Sequence, residues 1–213
     1  MTGEANSWRW CASSEGSFST KSAYALVKAS RIIANQTSIN KESIKQVWAT
    51  PAPQKARVTS WRLLRNKLPT CDNLRKRNIQ LGEEEAMCNA CCQHYESTVH
   101  TFIECPKTEK VWTGIQNWLG ISGPRPQDIA AHFDAFANLG RKRNRIFLRA
   151  LWMCTTWILW KSRNESRFEG RPWKIENLIR DIKVRVWSWN KVFKLLDWNC
   201  NFSSWMTGDM FMF

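Results

Sequence analysis

The sequence predicts a mainly α protein, in which a small helical domain with a short N-terminal hairpin and a loop rich in cysteine and histidine is followed by a C-terminal helical segment. Three observations lead there. Apolar residues recur at three- and four-residue steps through much of the chain, few stretches alternate as half-buried strands do, and proline or glycine punctuates the ends of the periodic runs. With 213 residues, of which 43% are hydrophobic, the chain can bury a real core.

Residues 8–18 (WRWCASSEGSF) place aromatics on both sides of a Ser-Ser-Glu-Gly turn, the pattern of a short hairpin. Ser19 or Thr20 then caps a helix running through Ala23, Leu26 and Val27 toward Ile33, and the polar stretch 35–40 reads as a loop. A helix begins near Pro53 and carries Val58, Trp61, Leu64 and Leu68, until Leu68-Pro69 breaks it. Thr70 is a cap for a second, short helix over CDNLRKRN. Pro106 suits the first position of a helix whose Val111, Trp112, Ile115, Trp118 and Leu119 form one apolar stripe. The GISGPRP stretch (120–126) is the strongest break and divides a domain over 8–118 from a helical region over 121–213. In the latter, a weak helix at 129–136 precedes a strong one at about 141–165, with Ile146, Phe147, Ala150, Leu151, Cys154, Trp157 and Ile158 inward. A third begins near Pro172 and repeats Ile175, Leu178, Ile182, Val186, Trp189, Phe193 and Leu196. Of the 14 tryptophans, Trp61, Trp112, Trp157 and Trp189 lie on these stripes and read as core, whereas Trp8, Trp10, Trp198 and Trp205 are uncommitted between packing and a partner surface.

The opening residues lack a secretory pattern, so the eight cysteines read as thiols of a reducing, intracellular compartment. The most apolar stretch, 146–160, is interrupted by Arg149 and is too short to span a bilayer, which argues against a membrane role. The net charge of +14 is concentrated. Residues 55–77 carry eight cations against Asp72, and residues 139–163 carry seven with no acid, so each block holds +7 and the remainder sums to zero. Two such blocks are the footprint of a polyanion surface, since each neutralised phosphate releases a condensed counterion; a solvated helix face is the plainer reading of either block alone. Between them, residues 78–105 hold five glutamates and no Lys or Arg, which would repel phosphate.

That acidic stretch ends in CNACCQHYESTVHTFIEC, where Cys88, Cys91, His100 and Cys105 form a C-x2-C-x8-H-x4-C array. Three thiolates and an imidazole have the number and softness for a tetrahedral Zn²⁺ site. Four protein ligands leave no position for water, so the ion would stabilise a fold rather than generate hydroxide. Cys92 and His94 offer alternative ligand sets; Cys91 and His100 are preferred because a loop from Cys91 to His94 is too short to arrange four donors. Ordinary buried thiols are the competing reading.

The runs GSFSTKSAY (16–24), VWATPAPQKARVTSWRLLRNKLPTCDNLRKR (47–77) and HTFIECPKTEKVW (100–112) resemble the zinc-binding domain that follows the polymerase core in plant non-LTR retrotransposon reverse transcriptases. The resemblance covers about residues 8–118, and LWMCTTWILWKSRNESRFEG (151–170) is similar to the segment that often follows. The family's CxxC and H-x4-C-P pattern maps onto Cys88, Cys91, His100, Cys105 and Pro106, with Cys92 where the family usually has glycine, so that a side chain there would strain the turn. The resemblance implies a piece of a retroelement polyprotein that holds RNA or DNA with little sequence preference, in the nucleus rather than the cytoplasm. The phosphate contacts expected are Arg62, Arg65, Lys67, Arg75, Lys76 and Arg77. A protein-interaction remnant with no nucleic-acid role is the alternative. No catalytic residue is expected, since no adjacent aspartate pair, phosphate-binding loop or nucleophile elbow occurs, and His94 and His132 read as ordinary histidines.

Overall fold

The computed structural model describes residues 8–34, 41–196 and 201–208, with side chains of 28–34 left aside. The chain divides into two compact units, 1–39 and 40–213. In the first, the expected hairpin takes the form of a turn without strands, closed by the Trp10 N–H donating to the Gly16 carbonyl at 2.8 Å. Helix α1 (Thr20–Ala34) follows. Ser19 supplies its cap, since the Ser22 N–H donates to Ser19 Oγ at 3.1 Å, and the Trp10 indole donates to Ser22 Oγ at 2.8 Å.

The second unit is helical, with one isolated bridge, Met87 to Tyr95, among the described residues. Its elements are α2 (Lys41–Ala49), α3 (Gln54–Leu64), α4 (Cys71–Arg75), α5 (Pro106–Leu119), α6 (Ile129–Ala137), α7 (Arg145–Glu169), α8 (Ile175–Phe193) and α9 (Phe202–Thr207). Helix α7 is the centre, packing against α3, α6 and α8, while α5 packs on α8 and α9 docks on α8. The GISGPRP stretch is therefore a loop inside this unit. Gly120, at φ +64°, ends α5 in the left-handed cap that glycine adopts without steric cost, and the chain continues into α6, which Asp128 caps by accepting from the Ala131 N–H.

Several stripes turn relative to the sequence reading. In α3 the buried residues are Ala56, Ser60 and Leu63, with Val58, Trp61 and Leu64 half-buried, because the small side chains at 56 and 60 let α3 lie close against α7. Ile146 is exposed at the start of α7, and Phe193 is partly exposed at the end of α8. Thr70 stands at the N-cap of α4 but makes no capping bond; its hydroxyl is engaged with Asp72 and Thr98. Trp205 is fully buried, donating to the Lys183 carbonyl at 2.9 Å and accepting at its own carbonyl from the Trp118 indole at 2.7 Å. Trp8 is fully exposed and Trp10 half-buried, whereas Trp198 lies outside the described residues. No helix among the described residues is long and apolar enough to cross a membrane.

Candidate metal centre and basic face

The loop from Ala86 to Glu96 doubles back on itself: the Cys88 N–H donates to the His94 carbonyl at 2.9 Å and the Glu96 N–H to the Ala86 carbonyl at 2.8 Å. At its tip the Cys92 N–H returns to the Cys88 carbonyl at 2.8 Å, which turns Cys88 and Cys91 toward one point. The other half of the site comes from a π-helical turn, His100–Glu104, in which the Cys105 N–H reaches back five residues to the His100 carbonyl at 2.8 Å. This wide turn brings residue 105 over residue 100, as an α-helix would not, and is a feature often found at functional positions.

The donor atoms of Cys88, Cys91, His100 and Cys105 all lie within 4.8 Å of one another. Cys88 Sγ is 4.0 Å from Cys105 Sγ, and Cys91 Sγ is 3.4 Å from His100 Nε2. A tetrahedral ion bound at about 2.3 Å from sulfur separates its ligands by about 3.8 Å, so the cluster fits a single metal ion. Cys88, His100 and Cys105 are buried and Cys91 partly so, which leaves little access for water. Cys105 is also the N-cap residue of α5. The hydrogen bond from Cys88 holds its thiol below the usual range, with further lowering from the Thr108 and Lys107 backbone N–H groups at that helix N-terminus. Donating that bond, together with burial, pushes the Cys88 thiol up to about 12. The hydrogen bond with Cys88 raises His100 against the opposing effect of burial.

Cys92 and His94 stand outside the cluster. Cys92 is exposed, its Sγ directed at the Asn89 carbonyl at 3.9 Å, and its φ of +56° is the left-handed conformation that a glycine would adopt freely. His94 is exposed beside His100, with ring centroids 5.2 Å apart. His132 is a core residue: the Trp152 indole donates to its Nδ1 at 2.9 Å, and burial, with the Arg125 charge adding, lowers its pKa to about 4.

The first basic block is brought together beside this loop. The Arg62 and Arg77 guanidinium groups both donate to the Lys67 backbone carbonyl, at 3.3 and 3.4 Å, so that two cations, one from the end of α3 and one from the segment after α4, converge beside the exposed Lys67. Arg65 stacks on Trp61 at 5.7 Å, Arg75 on Tyr95 at 5.5 Å, and Lys76 pairs with Asp72 at 3.2 Å; all three are exposed. A polar network, buried at Asn73 and Thr98, holds the convergence in place. Asn66, which precedes Lys67 and has a φ of 49°, accepts at Oδ1 from Asn73 Nδ2 and Thr98 Oγ1, both at 2.7 Å.

The second block is not one surface. Arg163 is buried and donates to Glu96 through Nη2 at 2.6 Å and Nε at 2.9 Å, Lys161 pairs with Glu165 at 3.3 Å, and Arg145 and Arg149 are half-buried. Arg141, Lys142 and Arg143 are left exposed as a group, in the turn just before α7. Glu96 in turn is no part of an acidic surface. It is buried, pairs with Arg163 and Arg167, and accepts from the Cys71 N–H at 3.1 Å, joining the metal loop to α4 and α7. Glu96, Asn66, Asn73 and Thr98 escape a sequence reading because their partners lie too far along the chain to leave a periodic trace.

Residues 18–112 match the family described as zinc-binding in reverse transcriptase, and the match contains all four donors and the converging cations. This supports a reverse transcriptase zinc-binding domain over that stretch. No curated protein and no solved structure matches the chain.

Proposed function

We propose that the chain is a Zn²⁺-stabilised module that binds RNA or DNA through phosphate contacts with little sequence choice, as part of a retrotransposon polyprotein of the plant non-LTR type and without polymerase chemistry of its own. Zinc is the ion that three thiolates and an imidazole in a closed tetrahedral set favour. Its role is to fix the loop against which α4 and α7 pack. The observation that carries the reading is the meeting of the Arg62 and Arg77 guanidinium groups on the backbone carbonyl of the exposed Lys67, since two cations held this close repel one another unless an anion neutralises them. Arg65, Arg75 and Lys76 extend the same face.

The experiment is a salt titration of binding to a short duplex. Three neutralised duplex phosphates give a slope of roughly −2.7 in log K against log salt, and Lys67→Glu with Arg77→Glu flattens it at unchanged zinc content. A flat response in the unaltered protein, or no association at low salt, refutes the reading. The pairing of Arg163 and Lys161 within the chain favours a second reading, a protein-interaction module, for the face of α7 alone. Charge-reversed protein that still retains a protein partner would support it.

A further inference from the structure

Between the metal loop and the outer face of α7 lies a hollow of about 780 Å³, within the range of small-molecule sites. Its walls are unlike one another. Trp160, Asn164 and Phe168 succeed each other at four-residue steps along α7 and form one ridge. Trp160 is fixed, stacked on Phe102 at 6.2 Å with the Arg163 guanidinium 5.1 Å from its ring. Phe168, by contrast, is 76% exposed, an aromatic face with solvent on it at the mouth of the hollow. Opposite stand Asn89 from the tip of the metal loop, Glu84, and Glu85, whose carboxylate also accepts from the Gly82 N–H at 3.0 Å.

The charges divide this hollow from its rim. Inside, Arg163 and Arg167 are engaged by Glu96, and Glu84 and Glu85 line the wall, so the interior carries no surplus of positive charge to hold a phosphate. At the rim Arg62 lines the hollow and also donates to the Lys67 carbonyl, which makes the hollow continuous with the basic convergence. A ligand matching both parts has an anionic backbone and an uncharged, flat, hydrogen-bonding side group. The geometry points to a single-stranded nucleic acid as occupant, with one unpaired base in the hollow against Phe168 and its phosphates on Arg62, Lys67 and Arg77. The Asn89 and Asn164 amides and the two carboxylates meet the base edge, the carboxylates as acceptors for its amino or imino groups. A paired base cannot enter, because its edge is taken by its partner and its faces by its neighbours. This assignment deepens the nucleic-acid reading and rests on it.

The test is fluorescence anisotropy at fixed salt with a labelled 12-nucleotide single strand, in RNA and DNA versions, the same strand with abasic positions, and a duplex of equal phosphate number. The intact strand is expected to bind about tenfold more tightly than the duplex or the abasic strand. Phe168→Ala removes one stacking platform and should weaken the strand by about 5- to 150-fold, the range for one base–aromatic contact, with duplex affinity, melting temperature and zinc content unchanged. Lys67→Glu weakens every probe alike. If duplex, abasic and intact strands bind equally, or Phe168→Ala leaves strand affinity intact, the base assignment is overturned while phosphate binding stands, and the hollow serves another occupant such as an apolar protein segment. If no probe binds, the nucleic-acid reading fails and takes this assignment with it.

Discussion

Replacing Glu96 by Gln keeps the volume of the side chain and removes the charge on which the metal loop is fastened to α7. Glu96 is almost wholly buried and accepts from Arg163 at 2.6 and 2.9 Å, from Arg167 at 3.5 Å and from the Cys71 N–H at 3.1 Å. The glutamine amide turns one acceptor into a donor facing the Arg163 guanidinium, which is itself 5% exposed and loses its counter-charge. Removing one member of a buried ion pair costs about 3–5 kcal/mol. In a unit of this size each kcal/mol lowers the melting temperature by about 2–4 °C, so a fall of roughly 10 °C is expected. Urea unfolding at saturating zinc measures it, with an unchanged m-value showing that the unfolding unit is the same. The double variant Glu96→Gln with Arg163→Met removes the stranded charge and should recover at least about 2 kcal/mol relative to the sum of the single changes. A loss under about 1 kcal/mol for Glu96→Gln, or strict additivity in the double variant, would refute the clamp as the fastening.

His132 should make stability fall in acid. Its pKa is lowered from the ordinary 6.5 to about 4 in the fold, so below pH 6.5 the unfolded chain takes up a proton that the folded chain refuses. Stability present above pH 6.5 is lost as pH falls toward 4, by about 3 kcal/mol in total. His132→Gln keeps an acceptor for the Trp152 indole and should show a shallower fall than the unaltered protein over that window in pH-dependent urea unfolding. Cys92→Gly relieves a left-handed residue outside the donor cluster and should stabilise by about 1 kcal/mol at unchanged metal stoichiometry; lost metal would instead make Cys92 a ligand. Gly208, at φ +87°, ends α9 where an added Cβ would collide with the Trp118 carbonyl. Gly208→Ala should therefore cost about 1–3 kcal/mol and expose Trp205, seen as a red shift in tryptophan emission.

What could be read from the sequence was what neighbours in sequence decide together. The α5 stripe from Val111 to Leu119 and the α8 repeat at Leu178, Ile182, Val186 and Trp189 are buried as their periodicity indicates, because each face is defined within its own helix. The four donors assemble because the chain closes both halves of the site locally, one by a tight loop and the other by the π-helical turn. Helix α2 leaves little trace in the sequence: its Ile44, Val47 and Trp48 sit at helical steps, but a polar opening of Lys-Glu-Ser hides so short a pattern. Arg163 is the instructive error. It stands in a run of cations without acids, and only the fold reveals that its counter-charge is Glu96, 67 residues earlier. Charge counted along a chain marks a surface only where the folded partners leave it free.

The same distant pairing has a consequence for the metal. Glu96 follows Cys91 and His94 on the returning arm of the loop, its N–H bonded to the Ala86 carbonyl, and Arg167 donates to the Glu85 and Met87 carbonyls on the outgoing arm. Both arms are thus tied to α7 between residues 163 and 167, whereas α8 has no part in these bonds. An ion that holds the arms together sets the positions of the acceptors to which α7 is fastened, so its loss should travel into that stretch of α7 before it reaches α8. Hydrogen exchange with and without a chelator distinguishes this from a purely local role. Amides of residues 86–96 and 160–168 should lose protection together on metal removal, while those of 178–190 keep theirs. Loss confined to residues 86–105 would mean that the clamp holds without the ion, and simultaneous loss throughout would mean that the metal, the clamp and the α5–α7–α8 core form one cooperative unit.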